Sequence, residues 1–300
     1  MWYSLNSGYG LALAGHTRLS TTGKTFYVAP SNLSNLSALQ DLFTFDPDGV
    51  QRIYTSLTSA LTNCVAGRGD VIMVAPWYTE TVATAGALTI SKSGVTIIGL
   101  GNGALRPNIT VNGVIGASVD VTGANVTIQN VIITAGLDAI TAMINVTGAD
   151  VAFVNCDIIT NTATLGVVLG MLTAATATNF RVEGCRFLGT AANSGTTTTA
   201  QIKHEVGVDY VIRNNYFAGK MTQAILNATT VLRGLIDNNR FVVATGTLAI
   251  SVAAASTPFI TNNNINVPSG TTPIIAAAGF VSRNSYSAAA GVTAGTAVTI

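Results

Sequence analysis

The chain has 300 residues, of which only 9% are charged, compared with about 25% in ordinary soluble domains. Hydrophobic residues reach 48% although aromatic residues are only 7%. Such hydrophobicity excludes a disordered chain. A formal net charge of +1, without any Lys/Arg cluster, excludes a basic nucleic-acid-binding protein.

The mean hydropathy of +0.48 raises the question of a membrane. The longest apolar runs, around 165–172 and 248–255, are interrupted by Gly, Ser or Thr well short of the roughly 18 residues that a span requires. The N-terminus lacks the positive region of a signal peptide. We therefore expect a soluble β-protein that contacts no membrane and is not exported through the general secretory route.

In chain order, residues 23–30 predict a strand. The sequence DPDG at 46–49 predicts a turn rather than a calcium loop, because the remaining ligands of a calcium loop are missing. Apolar residues then recur with helical spacing from Ile53 to Cys64. This period predicts an amphipathic helix at about 50–65 with Cys64 on its apolar face. Residues 70–76 predict a buried strand.

The second half of the chain repeats a six-residue template: apolar, variable, Asn, Asn or Cys, variable, large apolar. The spacings between successive third positions are 25, 29, 30, 24, 24 and 21 residues. The third positions are Asn130, Asn155, Gly184, Asn214, Asn238, Asn262 and Arg283. This period with strand-forming residues predicts a β-solenoid in which each repeat is one coil.

The template also predicts which side chains face inward. Positions one and six, including Ile128, Phe187, Phe217, Phe241 and Ile265, are expected to stack inside the coils. The Asn pair is expected to form the bend between two strands, because Asn tolerates the left-handed region and its side chain can bond along the stack.

Positions two and five form two outward columns in which charges alternate. One column contains Glu183, Arg213 and Asp237. The other contains Asp157 and Arg186, with Arg240 further on. Alternating signs favour a surface ladder of ion pairs over a column of acids. A substrate groove on the same face stays open as the alternative.

Few other residues suggest chemistry. An insertion at 189–207 is predicted as a loop carrying Lys203, His204 and Glu205, which could supply acid–base groups. Cys156 and Cys185 occupy the same template position and are expected to be buried free thiols, although a disulfide is conceivable. His16 has no evident partner. We predict no catalytic site, no metal site and no cofactor.

The segment at 69–101, GDVIMVAPWYTETVATAGALTISKSGVTIIGLG, together with the preceding helix pattern, resembles the opening of the pectate-lyase-like right-handed parallel β-helix superfamily. The segment before it resembles the entry of β-helix structural proteins of tailed bacteriophages. The resemblance implies an all-β, right-handed, single-stranded parallel β-helix with an N-terminal amphipathic capping helix. The superfamily contains enzymes and scaffolds, so the fold alone does not decide function.

Together these observations predict an N-terminal arm at 1–25, a cap region at 26–69, and β-helix coils with a C-terminal tail at 70–300. The resemblance implies a non-enzymatic virion protein on the capsid exterior, assembled in the host cytoplasm. A trimeric cement or decoration protein would clamp neighbouring copies of the major capsid protein. Its arm would supply Trp2, Tyr3 and Tyr9 as apolar anchors.

Two further expectations concern partners. No charged side chain occurs between Arg240 and Arg283, so residues 242–300 are expected to contact another subunit, most simply in a homotrimer. The alternative function is a tailspike or tail-fibre component that binds, or as a polysaccharide lyase or glycoside hydrolase cleaves, host-surface polysaccharide.

Overall fold

The protein is an all-β parallel β-helix of roughly nine turns, as seen in a computed structural model. The structure describes residues 23–31, 51–192, 194–205, 207–245, 248–253, 256–268, 273–276 and 280–288. Every strand pairing between successive coils is parallel, as the template predicts. The solenoid prediction is therefore confirmed.

The coils stack three strand faces along the axis. Face A carries the first half of each template and ends at the Asn bend. Its strands are Ile53–Tyr54, Thr25–Val28, Val71–Val74, Thr96–Gly99, Thr127–Gln129, Ala152–Val154, Arg181–Glu183, Gly207–Arg213, Val231–Asp237, Phe259–Thr261 and Phe280–Ser282, in spatial order.

Faces B and C follow the bend in each coil, and the long strand Tyr216–Asn227 takes part in both. The other strands of face B are Thr79–Val82, Asn108–Val111, Ile132–Ala135, Asp157–Ile159, Arg186–Leu188, Arg240–Thr245, Asn264–Val267 and Ser285–Ala288. The other strands of face C are Leu88–Ile90, Val119–Val121, Ile140–Val146, Val167–Thr173, Thr198–His204, Ile250–Val252 and Ile274–Ala276.

The core is one continuous column of apolar side chains inside the coils. The rings of Phe187, Phe217 and Phe241 stack along the axis with centroids 4.7 and 4.9 Å apart. Ile128 and Ile265 are buried in the same core. The predicted inward register is therefore confirmed, because a slip of one residue would have moved these side chains to the surface.

The bend between faces A and B depends on left-handed backbone at the third template position. All seven of these residues have φ between 51° and 65°. Asn and Gly adopt this region at the lowest cost, which explains why they fill six of the seven positions. The fourth-position side chains then turn into the core, where Asn215, Asn239 and Asn263 are buried.

The N-terminal helix is shorter than the sequence period suggests. It runs over Leu57–Asn63 rather than about 50–65, because Ser56 is extended and its side chain caps the helix by accepting from Ser59 N at 3.1 Å. Ile53–Tyr54 is a strand paired with Thr25–Val28. The helix packs Leu57, Ala60 and Leu61 into the core, and a short 3-10 turn follows at Gly103–Leu105.

Several predicted features lie outside the described residues. These are Trp2, Tyr3, Tyr9, His16, the turn at 46–49, most of the arm at 1–25 and the tail at 289–300. Within the part of the chain that is described, no helix is long and apolar enough to cross a bilayer.

Candidate functional site

The outward column of face A follows the predicted order of charges. Glu183, Arg213 and Asp237 lie in register on successive strands. Arg213 pairs with Glu183 at 2.8 Å, whereas Asp237 accepts hydrogen bonds from Thr261 Oγ1 and Asn262 Nδ2, both at 2.8 Å. The predicted positions of the three charged residues are thus confirmed. Asp237, however, bonds a hydroxyl and an amide group instead of forming the expected ion pair with Arg213.

The outward column of face B contains a buried ionic cluster. Asp157 was expected on the surface beside Arg186, but it is only 5% exposed, because Arg106 covers its other side. Burial alone would raise the pKa of Asp157, but hydrogen bonds and charges from Arg186 and Arg106 bring it below its ordinary value. Further along the column, the Arg240 guanidinium stacks over the Tyr216 ring at 5.6 Å.

Arg106 is a structural residue that the sequence reasoning missed. Its Nε donates to the Gly103 carbonyl at 3.0 Å and its Nη1 to the Asn155 carbonyl at 3.2 Å. It lies in the connection after the 3-10 turn, outside the repeating template, so periodicity gave no signal. Its guanidinium therefore joins the N-terminal coils to the first template repeats.

The ten carboxylates within the described residues all have partners. Besides those above, Asp138 accepts from Gly166 N and Thr196 N, and Glu80 accepts from Tyr78 Oη at 2.8 Å and from Leu57 N. The remaining pairs are Asp70 with Arg68, Asp120 with Ser118 and Asn145, Asp150 with Asn179, Glu205 with Lys203, and Asp209 with Arg233. Each of these described acids is therefore held by an ion pair or by hydrogen bonds from neutral groups of the same chain.

The structure separates the candidate acid–base groups of the segment 189–207, because His204 points into the core while Lys203 and Glu205 lie outside. Thr198–His204 is a strand of face C, and His204 is only 1% exposed, so the prediction of a loop is wrong for this part. His204 Nδ1 bonds Thr173 Oγ1, and its ring lies 4.8 Å from that of Tyr210. Burial lowers the pKa of His204 to about 4. Lys203 and Glu205 pair with each other on the outside.

The two template cysteines are buried free thiols, as predicted. Cys156 N donates to Cys185 Sγ at 3.3 Å, so the sulfur takes the place that an asparagine oxygen has in later coils. Burial raises the pKa of Cys185 well above its ordinary value. Both thiols are fully buried and pack in the core, and Cys64 is likewise buried beside the helix.

A shallow groove of about 470 Å³ lies on the outside of face C, for which no site was predicted from the sequence. Its floor is one register column of Thr89, Asp120, Asn145 and Leu172. Its side is formed by Val146, the last residue of its strand, and by Thr122, Thr147 and Ala174, each of which directly follows a strand. The column could have been found by aligning face C strands, but the template covers only faces A and B.

The groove offers hydrogen bonds rather than acid–base chemistry. Asn145 Nδ2 and Ser118 Oγ both donate to Asp120 Oδ1, at 3.1 and 2.7 Å. Asp120 is the one acid among the eight described lining residues. Glycoside hydrolysis needs two carboxyl groups about 5 to 9.5 Å apart, and this lining supplies one of them. A hydroxyl-rich ligand fits these donors and acceptors.

Across the described residues, no group of three His, Cys, Asp or Glu side chains is placed to hold a metal ion.

No protein-family model matches the chain, and no curated protein matches it either. Among solved structures, it is similar to the pectate lyase Pel9A, with 15% identity and a TM-score of 0.41 over 88% of this chain and 78% of that one. It is also similar to the Dettilon tailspike protein, with 13% identity and a TM-score of 0.33 over 92% and 75%. Identities this low concern the fold only. The strand pairing itself defines the class: a parallel β-helix, the architecture that the resemblance to the pectate-lyase-like superfamily implies.

Proposed function

We propose that this protein is a non-enzymatic structural component of a tailed-bacteriophage virion, a trimeric cement or decoration protein on the capsid exterior. The partner is the major capsid protein. The observation that carries the proposal is the pairing of all ten described carboxylates with neighbouring groups. Hydrogen bonds and ion pairs of this kind hold the described acids in fixed positions along the shaft, which suits a structural role.

The clamp would work through several weak contacts on one assembly. Trp2, Tyr3 and Tyr9 at the N-terminus supply aromatic anchors of the kind that dominate interfaces. Three identical anchor sets on one trimer reach neighbouring capsomers, and each engagement raises the effective concentration of the next. A rigid shaft suits this role, since it fixes the distances between the contacts.

The test is binding of the purified protein to purified capsids that lack it, measured by co-sedimentation and cryo-electron microscopy. We expect saturable binding at fixed capsid positions and greater resistance of the capsids to heat. The W2A/Y3A/Y9A triple variant should lose binding while keeping the oligomeric state and melting temperature. The matched control Y27A changes a half-exposed tyrosine on face A and should bind normally. Absence of wild-type binding would refute the capsid role.

The groove on face C favours a second candidate function, a tailspike or tail-fibre component that binds host polysaccharide. Threonine hydroxyls, the Asn145 amide and the Asp120 carboxylate form a row along the coil axis, suited to a neutral or cationic sugar chain. Calorimetry with host-surface polysaccharide, comparing wild type with D120N and N145A, tests this function. E183Q, whose change lies on face A, is the control.

Binding that D120N and N145A weaken at least tenfold, and E183Q does not, would establish the second candidate. Release of reducing ends or unsaturated products from the polysaccharide would show that the protein is an enzyme and refute the non-enzymatic proposal.

A further inference from the structure

The C-terminal part of face A carries an exposed apolar column. Val211, Leu235 and Phe259 lie directly in register on three successive strands. Phe259 is 54% exposed, and Val211 and Leu235 are partly exposed. At the N-terminal end of this column the register partner is the exposed Arg181, so the apolar stretch is confined to the later coils.

Charged residues of opposite sign flank this apolar column at the levels of Val211 and Leu235, whereas threonines flank Phe259. In one coil, Asp209 lies two residues before Val211 and Arg213 lies two residues after it. In the next coil the order is reversed, with Arg233 before Leu235 and Asp237 after it. The Asp209–Arg233 pair is exposed at the surface, with side-chain exposures of 42% and 67%.

We propose that this surface, the column Val211–Leu235–Phe259 with its flanking charges, binds a second copy of the same chain. The copies stand side by side with their coils at equal height, around an axis parallel to the coil axis. The edge of one copy that carries Arg213 and Asp237 then meets the edge of the next copy that carries Asp209 and Arg233. Arg213 of one copy comes opposite Asp209 of the next, and Asp237 comes opposite Arg233.

Charge complementarity within one chain identifies the occupant. The pattern of one edge is the inverse of the other, so a copy at the same height satisfies both levels at once. A column one residue wide suits a closed cyclic assembly, because each apolar side chain is covered by its own counterparts at the axis. The long uncharged stretch between Arg240 and Arg283 adds no repulsion near this surface.

This inference assigns a contact surface to the oligomer of the proposed function, and it rests on that function only for the number of copies. Self-association can be measured on the purified chain alone, so its failure is distinct from a failure to bind capsids.

The first experiment is oxidative cross-linking of F259C, read on a denaturing gel. In the proposed arrangement, position 259 lies beside its own counterpart at the axis, and we expect a covalent dimer in high yield. The native cysteines are buried, so they need not be removed. I115C, at a residue that is 60% exposed on distant coils, is the matched control and should stay uncross-linked.

An antiparallel pairing would instead place Leu235 of one copy beside Val211 of the other. The pair of variants L235C and V211C, mixed, would then cross-link while F259C would not, and the proposal would be wrong. Equal cross-linking of F259C and I115C, or a stable wild-type monomer at micromolar concentration, would also overturn it.

The second experiment is the exchange variant D209R/R233D, which keeps the intrachain ion pair but places like charges opposite each other across the contact. We expect at least a tenfold weaker self-association by sedimentation equilibrium, with an unchanged melting temperature at low concentration. The control D150N removes an exposed acid elsewhere and should associate as wild type does. Unchanged association of D209R/R233D would contradict the proposed surface.

Discussion

The side-chain oxygen of Asn239 accepts two hydrogen bonds from Asn215 in the preceding coil, one from the backbone N at 2.9 Å and one from Nδ2 at 3.0 Å. Asn263 does the same for Asn239. Since all three residues are buried, this ladder satisfies polar groups that would otherwise lie unpaired in the core. The ladder makes the bend between faces A and B one of the most constrained parts of the coil.

We expect Asn239→Ala to lower the free energy of unfolding by about 2 to 4 kcal/mol, measured by urea denaturation. The change leaves two donors of Asn215 and the Ile212 carbonyl without partners inside the core. Asn238→Gly is the matched control, because this adjacent residue has φ of 51° and an exposed side chain, and glycine keeps that backbone. Equal losses for both variants would contradict the buried ladder.

Arg106→Ala should destabilise the fold by about 2 to 3 kcal/mol, because it leaves the buried Asp157 with Arg186 alone. The exposed partner variant Arg213→Ala should cost less than about 1 kcal/mol. Denaturant titrations of both variants at pH 7 make the comparison. Both titrations are made at a protein concentration low enough to keep the chain monomeric, because Arg213 lies in the proposed contact between copies. A loss at Arg213 as large as at Arg106 would contradict the exposed position of Arg213 in the monomer.

The same cluster predicts a dependence on acid. The pKa of Asp157 is lowered in the folded state, so its stabilisation is complete above the ordinary carboxyl pKa and is lost as the pH falls through the folded value. Arg106→Ala should therefore flatten the stability profile below about pH 4. A profile parallel to that of wild type would contradict the pairing.

The burial of neutral His204 predicts a second loss of stability in acid, which begins at a higher pH than the loss due to protonation of Asp157. The folded protein holds it neutral with a pKa of about 4, whereas the unfolded chain protonates it near 6.5. Stability should fall by about 3 kcal/mol as the pH decreases from 6.5 to 4. His204→Gln lacks this titration, so the difference between the two stability profiles should decline over that range; a constant difference would refute the buried neutral imidazole.

Phe217→Ala should cost about 3 to 5 kcal/mol, because it removes the middle ring of the stack between Phe187 and Phe241. The adjacent Tyr216→Ala is the control. It loses a partly exposed ring and the Arg240 contact, which is worth about 1 kcal/mol. A larger loss at Tyr216 than at Phe217 would show that the two faces of this strand are exchanged.

The template was sufficient to predict the strands of faces A and B from Thr127 onward, because its apolar and Asn positions recur in seven copies. Face C could not be predicted in this way, since the connections that lead to it differ in length from coil to coil. His204 illustrates the difference. Its neighbours Lys203 and Glu205 suggested a polar loop, whereas the strand alternation turns the imidazole inward and the two charges outward.

The candidate sites were harder to predict than the fold. Charge order in the template predicted the column of Glu183, Arg213 and Asp237, but the burial of Asp157 depends on Arg106, which is 51 residues away in sequence. The groove at Asp120 and the apolar column at Phe259 depend on the register between coils. The sequence position of one outward side chain does not show which side chains lie beside it in the adjacent coils, so neither surface could be predicted before the register was known.

The asparagine ladder also has a direction. In each coil, the backbone N and Nδ2 of the asparagine donate to the oxygen of the following coil, from Asn215 through Asn239 and Asn263 to Asn284. A finished coil therefore presents two donors that only the next segment of chain can satisfy, and contacts in a solenoid involve adjacent repeats. In synthesis from the N-terminus, the donors of each coil are made before the oxygen that accepts from them, so each rung of the ladder can form only after the following coil has been synthesised.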